Sequence, residues 1–533
     1  MKASGFASVA LGVAALTLTA RVVGFGRSLV FSKTVGDTCL GDAYNAANLL
    51  PNVLFEIVAG GVLAGVVVPV VARHVAAGRD RETSRTSSAL VTWTLLVLTP
   101  AGLAALAGAS FYAAAFSAPS CPNGAATLAA LLVMFVPQVW LYGLAVVSAG
   151  ILQAHSRFLA AAAAPLFSSL VVVAAYLLYL RLADAGAGRD LELVPAEALR
   201  VLGWGTTLGV AALALTTLVP LGRLGVRLRP RLRFAEGDRG VIVGIAAAGV
   251  AGLVAQQLSL LLFGWAAQQS GEPGALTRFS WANAIYLLPY AVLVAPLLQM
   301  AFPRLAAAAE RGESAVSEVL AALAPPVVVL AGLGGALLAA TAVPVARVFV
   351  LGPGSGQTAA LAWPIIALAP SVLGFGLLGL GSRSLLASHR ARASGLATVL
   401  AWTVVIGAVL VLRQVVPPTA VVVALGAAVS IGMAAGAVAA WTSLTRADGG
   451  RRPLGLTRPL VVAVAAGLLS GGAVAVLSWR FADAGPVAAV LGAFGCAGVC
   501  TLAYALLVLL LDRRLLTQLR DLRRRPVSDV QAT

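Results

Sequence analysis

Apolar stretches of about 20 residues follow one another along this chain, parted only by short polar breaks, and that spacing restricts what it can become. A backbone surrounded by hydrocarbon has to satisfy its own N–H and C=O groups within each segment, so stretches of this kind fold as helices. About fourteen spans can be read, near 8–33, 43–70, 88–108, 126–152, 158–181, 200–221, 238–266, 277–303, 316–341, 359–381, 391–413, 418–442, 459–479 and 486–511. With 60% hydrophobic and 11% charged residues, the sequence describes an all-α polytopic membrane protein. Residues 1–20 run into Arg21 without an Ala-x-Ala cleavage site, which predicts a retained first helix and not a signal peptide.

The cations divide by side. With the N-terminus inside, the inner breaks hold Arg73, Arg79, Arg81, Arg85 and Arg157, then the run Arg223, Arg227, Arg229, Arg231, Arg233 and Arg239. Arg304, Arg311, Arg383, Arg390, Arg392, Arg446, Arg451, Arg452 and Arg458 continue the inner set, and the C-terminal tail adds six more. The outer breaks are poorer in cations and carry Asp184, Asp190, Glu192, Glu197 and Asp483. Arg and Lys bias short loops toward the cytoplasm, so the expected topology is a multi-pass plasma-membrane protein with both termini cytoplasmic. The same partition excludes nucleic acid as the partner of a chain with net charge +17, because the cations form short juxtamembrane clusters. They set topology, or they also meet anionic lipid headgroups.

Four ionisable groups fall at bilayer depth: Arg21 and Arg27 in the first span, Asp42 and Glu56 at the second. A charge there costs at least about 2.5 kcal/mol, so such residues face a wet cavity, a partner charge or a ligand. Arg21 and Arg27 lie about 240° apart around a helix and share a face only if it bends, for which Gly24 and Gly26 give scope. Two readings stand side by side: a static ion-pair network joining the first two spans, or a binding site. Glu56 is either a cavity-wall carboxylate or a hydrogen-bond partner beside a kink at Gly60-Gly61. Asn48 and Asn52, one turn apart, either bind sugar or bond across helices.

An internal repeat organises the spans. Asn45-Ala-Ala-Asn-Leu-Leu-Pro51 recurs as Asn283-Ala-Ile-Tyr-Leu-Leu-Pro289, 238 positions on. Pro69 matches Pro303, and Leu152-Gln-Ala-His155 matches Leu386-Ala-Ser-His389, both 234 positions on. One deleted helical turn in the eighth span accounts for both offsets. Six helices per copy keep the copies parallel, so we expect two parallel six-helix lobes with a central site plus two extra C-terminal helices. The expected boundaries are 1–222 for the N-terminal lobe, 223–443 for the C-terminal lobe, 444–511 for the appended pair and 512–533 for a basic tail.

At these residues a resemblance appears. Arg21-Val-Val-Gly-Phe-Gly-Arg27, Gly41-Asp-Ala-Tyr44, Leu50-Pro-Asn52, Glu56-Ile-Val-Ala-Gly60 and Val68-Pro69 resemble the opening signature of the MurJ/MviN lipid II flippases, part of the superfamily of multidrug and polysaccharide exporters. Residues 150–158, 288–290 and 302–305 resemble later stretches of that family, and the likeness extends to about residue 440. Leu288-Pro-Tyr290 and the Glu-x-x-x-Gly at Glu56 look like its actinobacterial branch. Where Gram-negative members carry further cavity arginines, this chain has Phe55 and Ala284.

The resemblance implies alternating-access transport of undecaprenyl-pyrophosphate-linked peptidoglycan precursor, lipid II, to the outer leaflet. Cell-wall synthesis or division proteins and membrane lipids are the partners it suggests. Guanidinium groups suit a pyrophosphate because they bind its oxygens in a planar, bidentate way. Arg21 and Arg27 are therefore the expected phosphate ligands, and Asp42 could pair with one of them when the cavity is empty. Asp42, Glu56, Asn48 and Asn52 complete the expected substrate-binding set. A sodium site known in some members uses carboxylates on the seventh and eleventh helices; those spans offer only Gln256, Gln257, Ser259 and Thr403. We expect no cofactor and no metal, with transport driven by the membrane potential at about 2.3 kcal/mol per charge per 100 mV.

No soluble-enzyme motif occurs: a Gly-rich phosphate loop and His-Glu-x-x-His are both absent from the sequence, which points to a transporter and not an enzyme. Two alternatives remain, an exporter of another lipid-linked glycan or amphipathic drug, and a non-transporting scaffold in wall synthesis. Cys496 and Cys500 read as packing residues. Cys39 and Cys121 fall in outer loops, where a disulfide is permitted unless their Cα atoms lie more than about 7 Å apart.

Overall fold

The computed structural model describes the backbone of residues 3–512, apart from 59–63, 184–186, 225, 227, 235–237, 355 and 448–455. Side chains are described for the same residues except 3–11, 58, 64–66, 238–250, 313 and 447. Among the described residues every regular element is helical. Twelve helices there are long and apolar enough to cross a membrane, and they coincide with twelve of the expected spans. The other two expected spans, 43–70 and 238–266, fall on elements that include residues outside the described set, so twelve of the fourteen are found among the described residues. Gly60-Gly61 and the tail beyond Asp512 also lie outside the described residues.

Contacts divide the chain into two compact units, Met1–Thr277 with Gly352–Gly356, and Arg278–Leu351 with Gln357–Thr533. The first contains α1 (Ala3–Thr34), α2 (Cys39–Val58), α3 (Ala64–Ala76), α4 (Asp80–Ala107), α5 (Ala109–Phe116), α6 (Gly124–Phe135), α7 (Gln138–Ala154), α8 (Phe158–Leu182), α9 (Ala196–Gly222) and α10 (Asp238–Gln268). The division falls inside α11 (Ala275–Pro289), later than residue 222, because α10 packs with α2 and α3. Repeat boundaries follow the sequence, whereas this boundary follows packing.

In the first unit α9 lies along α8 through Gly205 and Gly209. A Cβ added at either would stand 2.4 Å from Ala175 Cβ or 2.3 Å from Val172 Cγ2, so the helices meet at backbone distance. Small residues four apart allow this approach, which matters in lipid, where burial of apolar surface does not itself drive helices together. A disulfide joins Cys39, the first residue of α2, to Cys121 just before α6, with Cα atoms 5.7 Å apart. The sequence left that pairing open.

The second unit continues α11 through a π turn at Tyr290–Val294 into α12 (Ala295–Ala309). Pro289 at the junction cannot donate a helical hydrogen bond, and the ladder widens directly after it. α13 (Glu313–Val350), α14 (Thr358–Ala387), α15 (Ala391–Val415) and α16 (Val421–Ala447) follow, then α17 (Thr457–Ser478) and α18 (Pro486–Leu511). α16 meets α15 through Gly432 and Gly436, whose added Cβ atoms would stand 2.2 Å from Val405 Cγ2 and 2.5 Å from Ala401 Cβ. The glycine pair of α9 thus recurs on α16, 227 positions later, in the matching helix of the second copy. The extra pair α17 and α18 packs on α13, where Tyr504 Oη donates to Val329 O at 2.8 Å and buried Cys496 and Cys500 fill the seam. Arg458 and Asp512 close their polar ends with a 2.9 Å ion pair.

Three helix reversals share one geometry. Gly78, Ser156 and His389 adopt positive φ, and the next residue, an arginine each time, donates its backbone N–H across a six-residue ring. The bonds are Arg79 N to His74 O at 3.0 Å, Arg157 N to Leu152 O at 2.8 Å and Arg390 N to Leu385 O at 2.8 Å. This is the left-handed helix exit usually filled by glycine. The second and third turns are 233 positions apart in backbone terms, one fewer than the 234 of the sequence match through His155 and His389.

Candidate polar cleft of the first unit

α2 carries Asp42, Asn45, Asn48, Asn52 and Glu56 at spacings of three and four, which sets them on one stripe of the helix. Exposure rises along it. Asp42 is 1% exposed, Asn45, Asn48 and Asn52 are half-buried, and Glu56 is exposed. The stripe is thus shut at the Asp42 end and open at the Glu56 end. Oδ1 of Asn48 is buried with no hydrogen-bond partner among the described residues. A buried acceptor left unmade costs about 1–3 kcal/mol, so this oxygen is suited to a water or a polar ligand.

Asp42 closes the stripe by anchoring the start of α11. Its carboxylate accepts from Gly274 N at 2.8 Å, Thr277 N at 2.9 Å and Thr277 Oγ1 at 2.9 Å. Asn45 Nδ2 adds a bond to the same hydroxyl at 3.1 Å. A carboxylate at a helix start meets unpaired N–H groups and the positive end of the helix dipole. Gly274 has φ +79°, and a Cβ there would stand 2.3 Å from Asp37 O, so the approach to Asp42 requires glycine. These bonds make Asp42 a structural anchor, a role that adds to the one the sequence proposes for it as a competitor for an arginine.

Arg27 is half-buried on α1, within electrostatic range of Tyr44, Tyr142 and Tyr176. Arg21 is exposed. α1 is helical throughout, so the two arginines occupy different faces, and only Arg27 is brought toward the tyrosines. Beyond the helix's own backbone, nothing lies within 4 Å of where a Cβ would sit on Gly24 or Gly26, which leaves room beside Arg27. Behind it Tyr44 Oη bonds to Tyr176 Oη at 2.8 Å and to Thr206 Oγ1 at 2.9 Å. Phe31 and Phe135 pack on Tyr44 with ring centroids 5.0 and 5.3 Å away. The phenols thereby pin α2 to α8 and α9 with their polar ends satisfied.

Phe55 stacks on Tyr142 with ring centroids 4.5 Å apart, and Glu56 lies within electrostatic range of the same tyrosine. At the position where the resemblance expects an arginine, an aromatic pair stands instead. Tyr142, Tyr176, Thr206 and Thr277 are participants that sequence reasoning missed. Tyr44, in the quoted Gly41-Asp-Ala-Tyr44 motif, was the one signal of the phenol cluster.

A many-helix bundle with twelve membrane-length helices among the described residues, whose second helix bears a polar stripe, defines a multi-pass membrane protein. In fold it is similar to a structure titled "Lipid II flippase MurJ, inward closed conformation", with TM-score 0.72 and 14% identity over 95% of this chain and 99% of that one. An inward-facing multidrug resistance MATE family transporter gives TM-score 0.65 and 13% identity over 83% of this chain and 99% of that one. Residues 31–493 match the family model described as lipid II flippase MurJ, and the chain belongs to that family. Among curated relatives, a probable lipid II flippase MurJ of Rhizobium meliloti (strain 1021) is 29% identical over 313 residues, covering 56% of this chain and 55% of the relative. A lipid II flippase MurJ of Burkholderia cenocepacia is 27% identical over 312 residues, 56% of each. The matches to these curated relatives thus span little more than half of their length.

Proposed function

We propose that this protein flips lipid II, or a close undecaprenyl-pyrophosphate-linked relative, from the inner to the outer leaflet of the plasma membrane by alternating access. Family membership supports the cargo class. The observation that carries the site is Arg27, held half-buried beside the tyrosine wall and next to room left by Gly24 and Gly26. In a low-dielectric cleft a guanidinium is worth more to a pyrophosphate than in water, and its planar fork suits two phosphate oxygens. Arg21 meets the phosphate in a second conformation or at the cleft mouth. Asn48, with its free acceptor, and Asn52 are the sugar-facing groups, and Glu56 lines the entrance. The protein works without covalent chemistry of its own, with both termini cytoplasmic, and the membrane potential acting on the arginine charge drives the cycle.

The test is complementation of a flippase-depleted strain. Wild-type chain restores growth, Arg27→Ala fails, and Arg27→Lys recovers only part, because an ammonium lacks the bidentate fork. Growth supported by both Arg21→Ala and Arg27→Ala at wild-type level refutes transport and leaves the scaffold reading. Unchanged flipping in vesicles clamped at zero potential removes the proposed drive. The Phe55–Tyr142 stack favours a second reading, another lipid-linked glycan, since it removes a cation that the resemblance expects; expression without complementation selects it.

A further inference from the structure

A second site lies on the outside of the first unit, away from the polar stripe. The segment 228–234, between α9 and α10, runs along α4 in the same chain direction. Arg229 N donates to Ser88 Oγ at 3.1 Å, Arg231 N to Thr92 Oγ1 at 3.1 Å, and Trp93 Nε1 to Leu232 O at 2.9 Å. The register is geometric: two extended residues rise about 6.6 Å and four helical residues about 6.0 Å, so alternate N–H groups meet hydroxyls one turn apart. Alternate side chains of an extended segment share a side, which groups Arg229, Arg231 and Arg233, all of them exposed. Between this segment and α4 lies a cavity of about 670 Å³, lined by Arg229 and Ser88 at one end and by Leu95, Leu96 and Pro100 at the other.

The cavity has the profile of a lipid. α4 begins Asp80-Arg-Glu-Thr-Ser-Arg-Thr-Ser-Ser and turns apolar at Ala89, so Ser88 marks the polar boundary of the span. From Ser88 to Pro100 the helix rises about 18 Å, close to the half-thickness of about 15 Å of a bilayer core. Cations stand at the boundary and leucines at depth, in the order phosphate then acyl chain. Arginine is well matched to a phosphodiester, and its long stem lets the charge reach the headgroup level from a backbone held at the apolar edge.

We infer that this cavity is a binding site for a resident anionic phospholipid, its phosphate held by Arg229 at the cavity's edge with the exposed Arg231 adding positive charge beside it, and one acyl chain laid against Leu95, Leu96 and Pro100. The occupant is a two-chain phospholipid and not the polyprenyl cargo, because the lining runs along α4 only from Ser88 to Pro100, about the depth of one leaflet.

Native mass spectrometry of the full chain, titrated with dioleoyl phosphatidylglycerol or phosphatidylcholine, tests the assignment. Each surface arginine is worth about fivefold in affinity for an anionic lipid, so Arg229→Gln with Arg231→Gln lowers the tightest phosphatidylglycerol affinity about 25-fold. Phosphatidylcholine binding is unchanged. Leu95→Trp, which fills the apolar end and keeps every charge, causes the same loss, whereas Arg229→Lys with Arg231→Lys stays within a few fold of wild type. Retention of wild-type phosphatidylglycerol affinity by both the glutamine pair and Leu95→Trp overturns the site. Tighter binding of undecaprenyl phosphate than of phosphatidylglycerol, lost in the same variants, overturns the choice of occupant.

Discussion

Replacing Asp42 by alanine isolates what the top of the polar stripe contributes. Its carboxylate accepts from Gly274 N, Thr277 N and Thr277 Oγ1 at 2.8–2.9 Å, and the residue is 1% exposed. Alanine leaves two buried N–H groups without that acceptor, while the Thr277 hydroxyl can rotate toward another. At about 1–3 kcal/mol for each stranded donor and about 1 kcal/mol for the hydroxyl bond, Asp42→Ala costs about 3–7 kcal/mol. Asp42→Asn retains one acceptor oxygen but turns an NH₂ toward an N–H, and falls between at about 2–3 kcal/mol. Thr277→Val removes the hydroxyl alone, about 1 kcal/mol. In detergent, followed by tryptophan fluorescence, Tm falls by about 2 °C per kcal/mol for a unit of this size, so Asp42→Ala melts about 6–14 °C below wild type. Because Asp42 and Thr277 touch, Asp42→Ala with Thr277→Val loses less than the sum of the singles, by about 1 kcal/mol. A Tm for Asp42→Ala within about 1 °C of wild type, or strictly additive losses, refutes the anchor.

Three further outcomes follow from the packing. Tyr44→Phe removes two buried hydroxyl bonds and lowers stability by about 1–3 kcal/mol with expression retained, a melt indistinguishable from wild type being the contrary result. The Cys39–Cys121 bridge spans 82 residues, which the chain-entropy model values at about 4.5 kcal/mol; reductant lowers the wild-type Tm and leaves Cys39→Ser/Cys121→Ser unaffected, and equal responses of the two would contradict the bridge. Gly432→Leu forces α16 off the Val405 and Ala401 backbone and abolishes folded protein on size exclusion, whereas Gly407→Leu, where no atom lies within 4 Å of an added Cβ, elutes normally.

Span positions were legible because they depend on one quantity, the length of apolar chain that lipid tolerates, and α8, α15 and α18 lie within a few residues of their expected limits. The fourth expected span was harder: Val136-Pro137 divides it into α6 and α7, and hydropathy does not register a break that leaves the segment apolar. The shared face of Asn48 and Asn52 on α2 was readable from their four-residue spacing. Asp42 was visible as a charge, yet its role depends on Gly274 and Thr277, more than 230 positions away, which no local pattern reports. The Tyr44–Tyr176–Thr206 network is hidden for the same reason, since phenols and threonines are unremarkable in any one helix. The angular separation of Arg21 and Arg27 was computable in advance, and α1, helical through Gly24 and Gly26, keeps it.

The matching reversals at Arg79, Arg157 and Arg390 bear on how such a chain enters the bilayer. In each, the residue that closes the ring through its amide also carries the positive charge that biases a loop against translocation. Signal and bend are thus one residue, with no slack for the charge to drift from the corner it marks. A helical hairpin so built holds both its corner and its charge within six consecutive residues, so neither depends on any helix elsewhere in the chain.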